Sequence, residues 1–170
     1  SPMWPHRASR IGFMPTTRCG AYLPQARPVM PKIYTPTPDM ARIARDVLDL
    51  RQTLTPSRRA GTPTGIARAR DIANRRPMAA HTVYRMRSFF ARHGASPGSA
   101  EARRDKTSKA AQAWALWGGN PGRQWARGIV KDIERQAADL RRQARAATNE
   151  ADASRLDREA DRVLREMRVG

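Results

Sequence analysis

Arginine is the side chain through which this chain can do chemistry. Of its 33 basic residues only Lys32, Lys106, Lys109 and Lys131 are lysines, and a guanidinium offers a planar fork that grips phosphate or carboxylate with two parallel hydrogen bonds. Catalytic types are sparse by comparison. The histidines are His6, His81 and His93 and the one cysteine is Cys19, so no disulfide can form within the chain and no thiolate cluster can hold a metal. No two histidines have the four-residue spacing of a helical zinc site, and Cys19 near His6 lacks an evident third ligand. Neither a metal nor a cofactor is expected, nor a catalytic set. The run from Gly118 to Gly122 lacks the Lys-Ser/Thr that lets a Gly-rich loop hold phosphate and magnesium. It precedes a helix start, where free amides assisted by Arg123 could hold an anion. The competing reading is a tight helix–helix corner whose glycines let Trp114, Trp117 and Trp125 pack together, since tryptophans this close in a small helical protein are more often core than a base-stacking platform.

The net charge of +18 over 170 residues disfavours a compact state unless something anionic neutralises it. Nucleic acid is the commonest such partner and an anionic membrane surface the next. A GC-rich genome accounts for arginine over lysine, but not for the surplus. The surplus is uneven. Residues 1–120 hold 21 basic and 6 acidic side chains, a net +15, whereas residues 121–170 hold 12 and 9, a net +3. Nucleic-acid contacts are therefore expected mainly before Pro121. No apolar run approaches the ~20 residues that span a bilayer, so no membrane association and no small-molecule substrate is expected. The N-terminus has no apolar stretch of the kind a signal peptide needs. Its arginines and its lack of acid up to Pro38 are transit-peptide traits, but eight prolines in the first 40 residues oppose the helix such a peptide forms. A start at Ser1 fits a trimmed initiator, a processed chain or numbering within a longer product.

The elements that would position these side chains follow from periodicity and punctuation. Residues 1–37 read as an extended, basic, Pro-rich arm, unable to bury a core of its own and disordered when alone. A first helix is expected over 39–54, capped by Thr37 with Pro38 at its first position. A second runs over 64–75 with Ile66, Ala69, Ile72 and Ala73 inward. A third spans 80–92 on a stripe of Val83, Met86, Phe89 and Phe90. After a loop over 94–107 a fourth covers 107–117, anchored by Ala111, Trp114, Ala115 and Trp117. Asn120 then caps a restart at Pro121. The last segment carries a seam of Trp125, Ile129, Ile133, Leu140 and Ala144. A second stripe of Leu156, Ala160, Val163, Leu164 and Met167 follows a capping-box pattern at Ser154 and Asp157. This reads as an antiparallel hairpin or kinked coiled coil, with one long helix as the alternative. The fold class is therefore all-α: an arm over 1–37, a small helical domain over 38–126 built around Trp114, Trp117, Trp125, Phe89, Phe90, Met86 and Ile72, and a long helix or hairpin over 127–170.

On this layout the candidate nucleic-acid contacts are Arg68, Arg70, Arg75, Arg76, Arg85, Arg87, Arg92 and Arg123. The candidate subunit-binding residues of the arm are Trp4, Arg7, Arg10, Phe13, Arg18, Tyr22, Arg27 and Tyr34. The two short helices at 64–76 and 80–92 also have helix-turn-helix spacing, which would turn Thr82, Arg85 and Arg87 toward a major groove.

Three stretches carry a family resemblance: GIARARDIANR at 65–75, VYRMRSFFARH at 83–93 and AWALWGGNPGRQWA at 113–126. Together, over about residues 62–130, they resemble a small module of tailed-bacteriophage and prophage proteins found near head-assembly genes. The family usually has a longer acidic, Gly/Pro-rich insert with an SxGRI step before the AW motif. Here that region is shortened to 94–112, with SKAAQ at 108–112 in its place. The resemblance implies a virion or head-associated context, not an enzyme, and carries no functional residues with it. The expected function is thus a non-enzymatic structural component of a phage-type particle. It would sit in the virion, and in the host cytoplasm during assembly, contacting nucleic acid through phosphates and other subunits through its arm. A nucleic-acid-binding module, ribosome-associated or a helix-turn-helix regulator, is the alternative.

Overall fold

A computed structural model describes residues 32–95 and 98–169. The arm positions Trp4, Arg7, Arg10, Phe13, Arg18, Tyr22 and Arg27 lie outside the described residues, as do His6 and Cys19. The described chain is all-α apart from one short antiparallel pairing. In order it forms β1 (Ile33–Tyr34), α1 (Pro38–Thr53), α2 (Pro63–Ala73), β2 (Met78–Ala79), α3 (Ala80–Gly94), α4 (Lys109–Leu116), α5 (Gly119–Ala146) and α6 (Glu150–Arg168). Single 3-10 turns at Pro56–Arg58 and Glu101–Arg103 lie in the connections.

Helix starts follow local side-chain chemistry. Thr37 accepts from the Met40 amide at 3.3 Å and Thr62 from the Gly65 amide at 3.2 Å. Each leaves a proline at the first helical position, where a missing N–H costs nothing. Three boundaries differ from the sequence reading. Helix α4 is capped by Ser108, not begun at Thr107, because the Thr107 amide and hydroxyl both bond to the Asp105 carboxylate, at 2.8 and 2.9 Å. Helix α5 begins at Gly119, and Asn120 lies inside it rather than capping it, accepting from the Trp114 indole N–H at 3.0 Å. Helix α6 is capped by Asn149, whose Oδ1 accepts from the Asp152 amide at 2.8 Å. The chain therefore turns at 147–149, five residues before Ser154. Helices α5 and α6 return along one another as an antiparallel hairpin, with Arg141 and Asp161 paired across it at 2.9 Å.

One cluster forms the main core: Met40 and Ala44 from α1, Ile72 from α2, Val83 and Met86 from α3, and Ala126, Val130, Ile133 and Met167 from the hairpin. The base of the hairpin thus packs inside the same core as residues 38–126. A boundary at 126/127 has no counterpart in the packing, because Val130 and Ile133 continue the buried stripe begun by Ala126. The aromatic residues form a satellite instead. Phe89, Phe90 and Trp114 are one buried cluster, while Trp125 packs on the main core, as Trp117 also does.

Tyr34 corrects the reading of the arm. Strand β1 pairs with β2, opposing Ile33 to Ala79 and Tyr34 to Met78. Tyr34 is half-buried against the main core and Pro36 is fully buried. The end of the arm is therefore integral to the helical body, and Tyr34 packs in part on this chain's own core. Burial, with the carboxylates of Asp132 and Glu166 nearby, pushes its phenol above the ordinary 10.0. A raised folded-state pKa means the native chain holds the proton that the unfolded chain releases. This contribution is intact below pH 10 and is lost as pH rises through the folded value. Urea midpoints measured across the alkaline range should fall less steeply for Tyr34→Phe than for the parent.

The corner between α4 and α5 is set by glycines. Gly118 and Gly119 have φ of +93° and +64°, a region in which an L side chain is strained. A Cβ on Gly122 would lie 2.4 Å from the Trp117 carbonyl oxygen, so α5 approaches α4 backbone to backbone. Gly128, further along α5, has open space around it. Gly122→Ala should lower the unfolding free energy by about 2–3 kcal/mol, whereas Gly128→Ala should raise it by about 0.5–1 kcal/mol. Denaturant midpoints of the two variants check both.

Candidate nucleic-acid interface

The eight predicted contact arginines divide into three groups. At the end of α2 they act largely on the fold. The Arg76 amide donates to the Asp71 carbonyl and the Arg75 amide to the Ile72 carbonyl, both at 2.9 Å. This is the double bond of a Schellman cap, with Arg75 at φ +50° where glycine is usual. The strained residue is tied down by its own guanidinium, whose Nε donates to the Pro36 carbonyl at 2.9 Å. Arg45 of α1, absent from the sequence prediction, donates to the Ala73 carbonyl at 2.9 Å. Cations at this end also meet the negative pole of the helix.

Arg68 is not available to phosphate either. Its side chain is only 20% exposed and pairs with Asp71 at 3.2 Å. Burial pulls its pKa below the usual arginine value, Asp71 opposes that pull, and Arg85 adds repulsion. Arg76 reaches the same carboxylate at 3.7 Å with most of its side chain in solvent. Arg70 is exposed.

Helix α3 does not present Thr82, Arg85 and Arg87 together on one exposed face. Thr82 is buried. Arg85 and Arg87 stand on opposite flanks of the stripe made by Val83, Met86 and Phe90, because two residues on an α-helix are about 200° apart. Helix α2 packs on α1 and α4, whereas α3 packs on α5 and α6, so the two do not dock as a unit. Arg87 and Arg92 are exposed.

Arg123 is the start of a feature the sequence reading undercounted. Arg123, Arg127 and Lys131 are all exposed on α5 at spacings of four, which places them in a row along one face. No acid interrupts the stretch until Asp132. The near balance of charge over residues 121–170 concealed this run, because the neutralising acids lie later in the hairpin. There, Arg135–Asp132, Arg142–Asp139, Arg155–Asp152 and Arg162–Glu159 pair three residues apart, and Arg141–Asp161 pairs between helices. Such exposed pairs add little stability each, but they cancel the surface field of the hairpin. Arg70, Arg87, Arg92, Arg123, Arg127 and Lys131 make no ion pair among the described residues.

The other chemistry-bearing residues are occupied or apart. The His93 ring lies 4.5 Å from that of Phe89, His81 is half-buried, and among the described residues no three His, Cys, Asp or Glu gather as metal ligands. At the Gly-rich corner the indoles pack inward: Trp117 stacks on Phe89 at 4.6 Å and Trp114 meets Phe90 edge-on at 4.8 Å. This is the packing arrangement of the two readings of that corner, and it leaves neither ring as an open stacking platform. No helix of the described residues is long and apolar enough to cross a membrane.

No family model, no curated protein and no solved structure matches this chain. The likeness to the phage module therefore stands on its three motifs alone.

The division into structural and solvent-facing arginines has a direct test. Arg75→Ala should lower the unfolding free energy by about 1 kcal/mol, the net worth of its hydrogen bond to Pro36. Arg87→Ala should change it by less than about 0.5 kcal/mol. Urea denaturation of both variants separates the two classes.

Proposed function

We propose that this protein is a non-enzymatic structural component of a phage-type virion. It contacts packaged nucleic acid through exposed arginines of its helical body, and neighbouring subunits through its N-terminal arm. The observation that carries this reading is the split in charge. The distal hairpin, residues 132–170, balances nine basic side chains with nine acidic ones and forms five ion pairs, while Arg87, Arg92, Arg123, Arg127 and Lys131 are held in solvent without a carboxylate. A surface that keeps cations unpaired while pairing them elsewhere on the same helix suits an external polyanion. Exposed guanidinium groups on helix flanks contact phosphates and sugars rather than base edges, so the binding is largely independent of sequence. The three phage-like motifs supply the context of the particle, and with it a location in the virion and in the host cytoplasm during assembly.

Binding of a random duplex by the full chain across a salt series tests this. Affinity should fall steeply with salt and be similar for scrambled duplexes. Replacing Arg87, Arg92, Arg123 and Arg127 together by Gln should lower the slope of log K against log salt by about 3.6, near 0.9 for each phosphate contact removed. A slope and affinity unchanged by the four substitutions would remove the helical body from the interface. A strong preference for one duplex would replace the structural role with a regulatory one. A truncation to assign the arm's share should begin at Lys32, since Tyr34 and Pro36 belong to the core.

A further inference from the structure

An open groove of about 760 Å³ lies between α1 and α4, closed on one side by the 100–107 connection. Its floor is apolar. Helix α1 contributes Ile43, Val47 and Leu50, and α4 faces them with Ala111 and Ala115. The α1 residues are spaced four and three apart and the two alanines four apart, so each set is one stripe of its helix. The groove exists because small alanines stand opposite large aliphatic residues, leaving a channel that neither helix fills.

Its rim is cationic. Arg42, Arg103, Arg104 and Lys106 line it beside one lining acid, Asp46, which is 3.5 Å from Arg42; Arg104 also pairs with the exposed Glu101 at 3.0 Å, and Lys106 makes no ion pair among the described residues. The wall bearing these cations is held from behind. Arg103 lies 3.9 Å over the Trp114 ring and bonds to the His93 carbonyl. Gln112, fully buried, accepts from the Ala60 amide and donates to the Arg58 and Thr107 carbonyls at 3.0, 3.0 and 2.7 Å. The groove is thus preformed, which lowers the ordering cost of filling it.

We propose that this groove binds an amphipathic helix of a partner protein, one whose apolar stripe is flanked by Asp and Glu. The floor from Ile43 to Leu50 is about 10 Å long, near two helical turns. Two apolar stripes in a channel of this width are the helix-in-groove arrangement, read by anchors at i, i+3 or i+4 and i+7. Charge complementarity selects the flanks. The chain's own arm is the wrong occupant: it has no acid before Asp39, it carries Arg7, Arg10, Arg18 and Arg27, and its prolines oppose a helix. A duplex backbone would satisfy the rim but would place nothing apolar on the floor. Helix α6 of a second copy is unsuited as well, since its apolar residues Ala160 and Met167 are already buried in its own fold. The proposal does not rest on the phosphate reading, and its cations are a different set.

The probes are two labelled peptides of three helical turns with Leu at i, i+3, i+4 and i+7, one with Glu and one with Lys at the flanking positions, together with a random duplex. Fluorescence anisotropy with the full chain should show saturable binding of the Glu peptide and none of the Lys peptide. Arg104→Glu with Lys106→Glu should weaken the Glu peptide about tenfold. Ala111→Leu, which fills the floor without altering charge, should weaken it by a similar factor, while duplex affinity changes less than about twofold in that variant. Circular dichroism melts confirm that each variant is folded. Equal binding of both peptides, absence of saturable Glu-peptide binding, or indifference to Ala111→Leu would each overturn the proposal. If peptide binding fails while duplex binding collapses in the Arg104/Lys106 variant, the rim serves nucleic acid instead.

Discussion

Trp117 ties the described body together. It sits where α4 ends and packs against all three apolar clusters: the main core, the Val47–Ala69–Leu116 group and the Phe89–Phe90–Trp114 group. Its ring stacks on Phe89 of α3, its indole nitrogen lies beside Gly65 of α2, and its carbonyl oxygen stands where a Gly122 side chain would be. One indole therefore sets the distance among four helices. Interiors pack as densely as organic crystals, so a residue shared by three clusters cannot be shortened without loosening all of them. The two left-handed glycines after Trp117 follow from the same constraint. The chain must reverse at once for α5 to run back beneath the ring, and only a residue without Cβ does this without strain.

Around that hub the structure separates arginines that hold the fold from arginines that face solvent. Arg75 secures a helix cap to the base of the arm, Arg68 shares a carboxylate with Arg76, Arg103 covers an indole, and five hairpin guanidiniums pair with acids. Arg87 and Arg92 on α3 and Arg123, Arg127 and Lys131 on the first half of α5 make no ion pair among the described residues. This is the physical content of the proposed interface: exposed charge without an ion pair, carried on helices that hold it in place. The α1–α4 groove is a second surface of different character, because an apolar floor discriminates against a polyanion that the rim alone would attract.

The three motif stretches acquire packing roles in this light. Within GIARARDIANR, Ala69 and Ile72 are core and Arg75 is the cap. Within VYRMRSFFARH, Val83, Met86, Phe89 and Phe90 are the buried stripe. Within the AW corner, Trp114, Leu116, Gly118 and Gly122 shape the junction that Trp117 occupies. The connection before that corner performs a structural task, for the fully buried Gln112 of SKAAQ makes three hydrogen bonds. Nothing in its local pattern marked it, because a glutamine on a helix reads as surface until its partners from residues 58–60 arrive.

Local chemistry determined the helices. Thr37 and Pro38, the stripe of α3, the glycines at 118 and 119 and the two out-of-phase apolar runs of the hairpin are signals exchanged between residues a few positions apart. They were legible without tertiary contacts, as was the surplus of positive charge. Competing side-chain contacts and long-range packing decided the rest. Thr107 bonds to Asp105 two residues back, leaving Ser108 to cap α4, and Asn120 accepts from Trp114 six residues back rather than starting a helix. Tyr34 joined the core through a strand pairing more than forty residues away in sequence. Most consequentially, whether an arginine is structural or free depends on desolvation and on partners distant in the chain. Composition fixes how many guanidinium groups there are, and only the packed structure fixes which of them still have a vacancy for phosphate.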